Sequence, residues 1–341
     1  MRRGDDEKGR RGDFDPEIEL DLAALSRPNL PASSIDWNTV RRVLVVRLRS
    51  IGDTVLATPS LIALKKFLPD AQIDILLEDW VAPLLDGLDS VDNVLAFGKG
   101  SVDRVKMAWQ IRQNKYDVVF NLHGGTTGTF FTFASGAKQR IGYREYQYNF
   151  LYNHLLWSAA DFWKRSPTHS AEQQLALLGF VGVPVEGRPR TRLAVTDKAL
   201  DSLFNRFNAE TQVRGDGPSL SIQHSTFALI HPAAAFATKT WAVENFARVA
   251  EFLSEKDVQT VAIAAKNEGA LLESLVAKSS VPIKTFDDLS LPQITALASR
   301  AKLFVGNDSG IAHIAAAVQT PSVVIFGSSN RDHWRPWTDA P

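Results

Sequence analysis

Short runs of near-continuous apolar residues recur along the chain, each followed by a longer stretch with apolar positions at helical spacing. The first run, 43-VLVVRL-48, predicts a strand, and a helix follows over about 54–67. Pro59 falls inside that helix and cannot donate an amide proton. The sequence therefore predicts that Thr58 caps, that Pro59 opens the main helix, and that 54–57 form a separate preceding turn. Strand 73–77, a helix near 80–86, strand 93–97, helix 102–113 and strand 117–122 continue the alternation. Such alternation predicts a parallel sheet with crossover helices.

The stretch 123–157 breaks the pattern. It is rich in Gly, Thr, aromatics and Arg and lacks a clean period, so it reads as a long irregular segment of functional type. Helix 170–179 then ends in 179-GFVGVP-184. In the second half the alternation returns: strands at 227–231, 258–264, 282–285, 302–305 and 321–326, with helices at 242–254, 268–278, 292–299 and 309–318. The expected fold is α/β, with two facing Rossmann-like domains and a central cleft, and ligands beyond the carboxyl ends of the strands. The expected organisation is a disordered extension over 1–38, a first domain over 39–183, a linker region over 184–215 and a second domain over 216–341.

Composition narrows the function classes. Lys plus Arg and Asp plus Glu are each 38, giving a formal net charge of zero, so no global basic field for nucleic acid exists. No cysteine is present, which excludes disulfides and thiolate metal sites. No apolar run is long enough for a membrane span, and the charged N-terminus lacks a signal-peptide core. A soluble, cytoplasmic protein is expected. The Asp13-Phe14-Asp15 pair lies in the N-terminal extension, away from any strand end, and reads as a solvated tail rather than a metal site.

Two strand-to-helix corners carry candidate chemistry. In 50-SIGDTVLATPSL-61 a carboxylate, Asp53, directly follows Gly52, where a phosphate cradle would keep negative charge away. In 306-GNDSGIAHIAAAV-318, Asp308 reads as an N-cap, and Ser309 and Gly310 occupy a first turn whose free amides suit an anion. His313 shares a helix face with Ser309. Lys239, in 231-HPAAAFATKTW-241, has two readings: a phosphate contact or an ordinary surface lysine. Glu268 likewise reads as a ribose ligand or as a first-turn carboxylate favoured by the helix dipole.

Taken together, 45-VVRLRSIGDTVLATPSLIALKKFLPDAQID-74, 140-RIGY-143, 231-HP-232 with 238-TKTW-241, and 306-GNDSGIAHIAAAVQTPSVVIFG-327 resemble the bacterial ADP-heptose:lipopolysaccharide heptosyltransferases, glycosyltransferase family 9. The resemblance runs from about residue 43 to the end. It implies a GT-B fold and an inverting, metal-independent glycosyl transfer with no cofactor beyond the donor, ADP-L-glycero-β-D-manno-heptose. It implies an inner-core lipopolysaccharide or related glycan acceptor, reached at the inner face of the cytoplasmic membrane by peripheral contact. On this resemblance Asp53 matches the catalytic base and Lys239 the phosphate-facing lysine. Thr238, Glu268, Asp308, Ser309, Gly310 and His313 match the donor site. Arg47, Arg49, Arg140, Tyr143 and Arg144 are candidates for the acceptor surface, with Lys138, Tyr146 and Tyr148 beside them, because Arg forks suit the anionic groups of the core.

The chain departs from the family pattern at 121-NLHG-124, where many members read Asp-Leu-Gln-Gly, at Ala233 in place of a glycine, and at Arg49 in place of a small hydroxyl residue. Family members usually continue beyond the last strand into a helix that packs back on the first domain, and the early end at Pro341 reads as a truncation. Two other classes stay open on the residues: a non-hydrolysing nucleotide-sugar epimerase, and a non-catalytic nucleotide-sugar or glycan-binding protein.

Overall fold

The computed structural model describes residues 35–214 and 226–341. Two parallel sheets, both within the compact unit Ser33–Pro341, organise them. The first contains β1 (Arg42–Val46), β2 (Gln72–Glu78), β3 (Asn93–Phe97), β4 (Val118–Asn121), β5 (Gln139–Tyr143) and β6 (His154–Leu156), in the order β3-β2-β1-β4-β5-β6. The second contains β7 (Phe227–His231), β8 (Gln259–Ile263), β9 (Ile283–Phe286), β10 (Leu303–Asn307) and β11 (Ser322–Ile325), in the order β11-β10-β7-β8-β9. Central strands read as unbroken apolar runs because both faces are covered: Val43 to Val46 of β1 and all of β7 are buried.

The strand order reverses between β1 and β4 in one sheet and between β7 and β10 in the other. Those are the switch points where an open α/β sheet leaves a crevice for ligand. Asp53 follows β1 and His123 follows β4; His231 closes β7 and Asp308 follows β10.

Helix α1 (Ile51–Phe67) crosses from β1 to β2. Helices α2 (Ser101–Gln113) and α3 (Gly125–Ala134) cross in the opposite direction, β3 to β4 and β4 to β5. Right-handed crossovers put α1 on one face of the sheet and α2 and α3 together on the other. The core between the sheet and α2 and α3 is built from Leu44, Leu76, Met107, Ile111 and Phe131. On the other face α1 packs on α5 (Ser170–Phe180), which follows the short helix α4 (Ala159–Trp163).

Three expectations need correction. Helix α1 is continuous, with Pro59 in its interior. The missing Pro59 amide would orphan the Val55 carbonyl, but the Thr58 hydroxyl donates to it at 2.7 Å. The same hydroxyl accepts the Arg192 amide at 3.1 Å. Second, residues 123–157 are not irregular: they contain α3, β5 and β6. Their composition hides this because the first five residues of α3 are all glycine or threonine, poor helix formers held by packing. Third, much of the stretch expected as linker is helix α6 (Asp197–Arg214), whose Phe207 ring lies 4.6 Å from that of Phe286 on β9.

Helices α7 (Val243–Ser254), α8 (Gly269–Lys278), α9 (Leu291–Arg300) and α10 (Gly310–Ala317) complete the second half. After β11 and the short helix α11 (Arg331–Trp334), the chain returns to the first half. There Trp337 stacks on His169 at 4.6 Å and donates its indole N–H to the Pro189 carbonyl at 2.8 Å. Of the extension expected over 1–38, residues 1–34 and the Asp13–Asp15 pair lie outside the described residues. Trp37, at its end, packs edge-on against Phe67 and donates to the Val181 carbonyl at 3.0 Å.

Candidate active site

The first corner is set by Ser50, the N-cap of α1, held at φ 65°. A non-glycine residue in this region is strained, and such strain persists only where the surroundings impose it. The Ser50 hydroxyl accepts the Asp53 amide at 3.2 Å and donates to Asp53 Oδ2 at 2.8 Å. The other carboxylate oxygen forms an ion pair with the Arg47 guanidinium, which also donates to the Leu122 carbonyl at 2.5 Å. Arg47 thus ties the end of β1 to the end of β4 and fixes the Asp53 carboxylate at the switch point.

The second corner departs from the expected capping. Ser309, not Asp308, is the N-cap of α10, and its side chain does not cap the helix. It shares a hydrogen bond with His231 Nδ1 at 3.1 Å instead. The first-turn amides of α10 therefore lack a side-chain acceptor. The Asp308 carboxylate faces away from them, taking the Lys239 ammonium at 2.9 Å and the Ser329 hydroxyl at 2.5 Å. Lys239 ends a 3₁₀ turn, Ala237–Lys239, which Asn307 holds in place by accepting the Trp241 amide at 3.0 Å and donating to the Pro232 carbonyl at 2.7 Å. Ser328 donates to the Thr238 hydroxyl at 2.9 Å. His231 and His313 are both buried, and burial pulls each imidazole down to a pKa of about 4. For His313 the carboxylates of Asp308 and Asp53 oppose that shift and Lys239 reinforces it.

The two corners meet. A Cβ on Gly52 would lie 2.9 Å from His313 Cδ2, and a Cβ on Gly310 would lie 2.7 Å from that of Ile51. Only two glycines let the first turns of α1 and α10 approach this closely. Asp53, Asp308, Lys239 and His313 thus form one electrostatic neighbourhood.

Beside Asp53 lies a cavity of about 350 Å³. Its walls include Arg47, Asp53, His123, Glu145, Trp157 and Gln174, with His333 from the returning C-terminal segment. Among the described residues, Arg47 Nε, His123 Nδ1 and both amide atoms of Gln174 are buried with no hydrogen-bond partner. Buried polar atoms are normally paired, so this wall is complementary to a polar ligand. His123 is neutral near pH 7, because burial and then Arg47 and Arg49 pull its pKa down to about 4.

Of the acceptor candidates, Arg47 and Tyr143 line this cavity, and Arg49 is exposed but close enough to act on His123. Tyr143 donates its hydroxyl to the Gln173 carbonyl at 2.6 Å, fixing β5 to α5. Arg144 lies over the Trp157 ring at 4.1 Å. Arg140 is committed elsewhere: it donates to the Leu151 and Ala137 carbonyls, each at 2.6 Å, and staples the backbone around β5. Glu268 accepts the Ala265 amide at 2.9 Å, so its carboxylate serves its own turn. The residues missed in the sequence are His123, Gln174, Ser328 and Ser329. The last two were legible, because 326-FGSSN-330 is a third glycine-serine corner after a strand. Gln174 carried no signal, sitting at a core-facing position of a helix.

The sequence model of glycosyltransferase family 9 (heptosyltransferase) matches residues 104–340. The chain is 27% identical over 312 residues to lipopolysaccharide heptosyltransferase 3 of Escherichia coli K12, covering 86% of this chain and 84% of that one. Its fold is similar to the family 9 glycosyltransferase of Veillonella parvula, with a TM-score of 0.76 at 19% identity, covering 87% of this chain and 83% of that one. It is also similar to the Escherichia coli ADP-heptose lipopolysaccharide heptosyltransferase II, with a TM-score of 0.72 at 21% identity and 88% of each chain covered. The two parallel sheets have the GT-B fold of those structures, and the chain belongs to glycosyltransferase family 9, the heptosyltransferase family.

Proposed function

We propose that the protein transfers a heptose from ADP-heptose to a hydroxyl of a lipopolysaccharide-core acceptor, inverting the anomeric centre without a metal ion. One observation carries the reading: the anionic corner at Asp53 and the anion-binding corner at Ser309 and Gly310 abut through Gly52 and His313. A proton acceptor and a diphosphate site are therefore within reach of one sugar. The donor class follows that of the Escherichia coli heptosyltransferase II named above.

In this reading the diphosphate docks on the first-turn amides of α10, where the helix dipole favours negative charge. Lys239 spends one ammonium proton on Asp308 and has two left for phosphate oxygens. The acceptor occupies the cavity, where its hydroxyls pair with the unsatisfied atoms of His123, Gln174 and Arg47. Asp53 takes the proton of the attacking hydroxyl as the new C–O bond forms at the anomeric carbon. The bond to the diphosphate oxygen breaks, through an oxocarbenium-like transition state. ADP leaves with the bonding pair, and Lys239 and the α10 amides stabilise the charge that develops. His313, neutral by burial, shapes the junction without adding charge.

The test is incubation with ADP-heptose and a delipidated core oligosaccharide, in buffer and again in excess chelator. One heptose per ADP released, with an inverted anomeric configuration by NMR and an unchanged rate in chelator, is the expected result. Retention of configuration, a chelator-sensitive rate, or epimerised donor in the absence of acceptor would overturn it.

A further inference from the structure

The face of the first sheet covered by α2 and α3 carries exposed apolar side chains that the core does not use. On α2, Met107 and Ile111 face the core, but Val102, Val105 and Trp109 are 63%, 65% and 68% exposed. At 100° per residue these three form one narrow stripe on the opposite side of the helix, with Lys106 and Arg112 on its two edges. Helix α3 lies against α2 and shares its core cluster through Phe131, yet its Phe130 and Phe133 are 45% and 56% exposed. Thr129, on the same helix, donates to the Gln147 carbonyl at 3.2 Å. That bond ties α3 to the loop whose Tyr148 and Phe150 are exposed and whose Glu145 and Tyr146 line the cavity beside Asp53.

Charge identifies the occupant. The whole chain is neutral, but residues 99–115 hold five basic residues, Lys99, Arg104, Lys106, Arg112 and Lys115, against one acid, Asp103. All five are exposed, and none forms an ion pair among the described residues. An aromatic and aliphatic stripe edged by cations is the pattern of a helix that lies in a bilayer interface and favours anionic lipid. A protein partner would more often pair such cations with acids of its own, whereas a headgroup layer satisfies them anywhere along the helix. No helix among the described residues is long and apolar enough to cross a membrane, so contact of this kind is interfacial.

We propose that α2, with the exposed aromatics of α3 and the 144–150 loop, docks the protein on an anionic phospholipid surface. It rests on the transfer reading only for its purpose, which is to bring the cavity beside Asp53 to a lipid-borne acceptor. The test is co-sedimentation of the full chain with vesicles of phosphatidylcholine alone, or of phosphatidylcholine with phosphatidylglycerol, without donor or acceptor. The wild type binds the anionic vesicles, binding weakens as salt is raised, and neutral vesicles recover little protein. Val105→Ser with Trp109→Ser, and separately Lys99→Glu with Lys106→Glu, each lower recovery at least about tenfold, on the scale of one basic residue being worth about fivefold at such a surface. All four positions are exposed, so melting temperature and transfer to a delipidated acceptor stay at wild-type levels. Wild-type protein that fails to sediment with anionic vesicles, variants that bind as well as wild type, or a stripe that drives self-association instead would each overturn the proposal. Because vesicle binding is read without substrates, its failure and the failure of the transfer reading are separate results.

Discussion

Gly52 and His313 come from different sheets' helices, and no larger residue than glycine fits between them: a Cβ at position 52 would stand 2.9 Å from the imidazole Cδ2. His313 is buried and has nowhere to retreat without disturbing α10. Gly52→Ala is expected to cost about 1–3 kcal/mol of stability, the range for overpacking a filled site. The double variant Gly52→Ala with His313→Ala should recover part of that loss, since the two changes touch the same space. Urea denaturation of the three variants measures this. Additive losses would mean that the two residues do not share a contact.

The buried imidazoles predict the acid limit of stability. His231 and His313 have folded pKa values of about 4, below the unfolded value near 6.5. Between those values the unfolded chain binds more protons than the folded one, so stability falls as pH drops. The contribution is complete above pH 6.5, lost progressively through the window, and gone below pH 4. At pH 5 each histidine should cost roughly 2 kcal/mol relative to neutral pH. Asn at position 313 removes one titrating group, so denaturant midpoints of His313→Asn should fall less steeply between pH 7 and 5 than those of wild type.

Arg140 separates a structural role from acceptor binding. Its guanidinium donates to two backbone carbonyls at 2.6 Å. Arg140→Ala leaves both acceptors unpaired and should cost about 1–3 kcal/mol of stability. KM for a soluble acceptor should stay unchanged in enzyme that remains folded. A rise in acceptor KM with no loss in melting temperature would return Arg140 to the binding surface.

Which parts of this were legible in the sequence follows from range. Strands β1, β7 and β10 announce themselves because each is an apolar run ended by a corner with chemistry. That local logic singles out Asp53, Ser309 and Gly310 as candidates and leaves Lys239 with two readings, which only the family resemblance separates. Pro59 misled because the compensation for its missing amide comes from the neighbouring Thr58 hydroxyl, which the sequence invites one to read as a cap. Asp308 misled for the opposite reason: its partners, Lys239 and Ser329, are distant in sequence and outbid the helix amides. His123 and Gln174 line the cavity only because β4 ends and α5 begins beside Asp53. Arg140 looked like an acceptor contact because a basic aromatic loop gives no sign that its carbonyls need a donor.

The central claim is that Asp53 takes the acceptor proton while the donor is held across the junction. Asp53→Asn keeps the side chain's size and a hydrogen-bonding oxygen but removes the charge. The most direct measurement pairs kcat for transfer by this variant with calorimetric Kd for ADP. The account predicts that kcat falls about 10²–10⁴-fold, the usual contribution of a general base, while Kd for ADP stays within a factor of about three. Turnover near the wild-type rate, or loss of ADP binding equal to the loss of turnover, would contradict it.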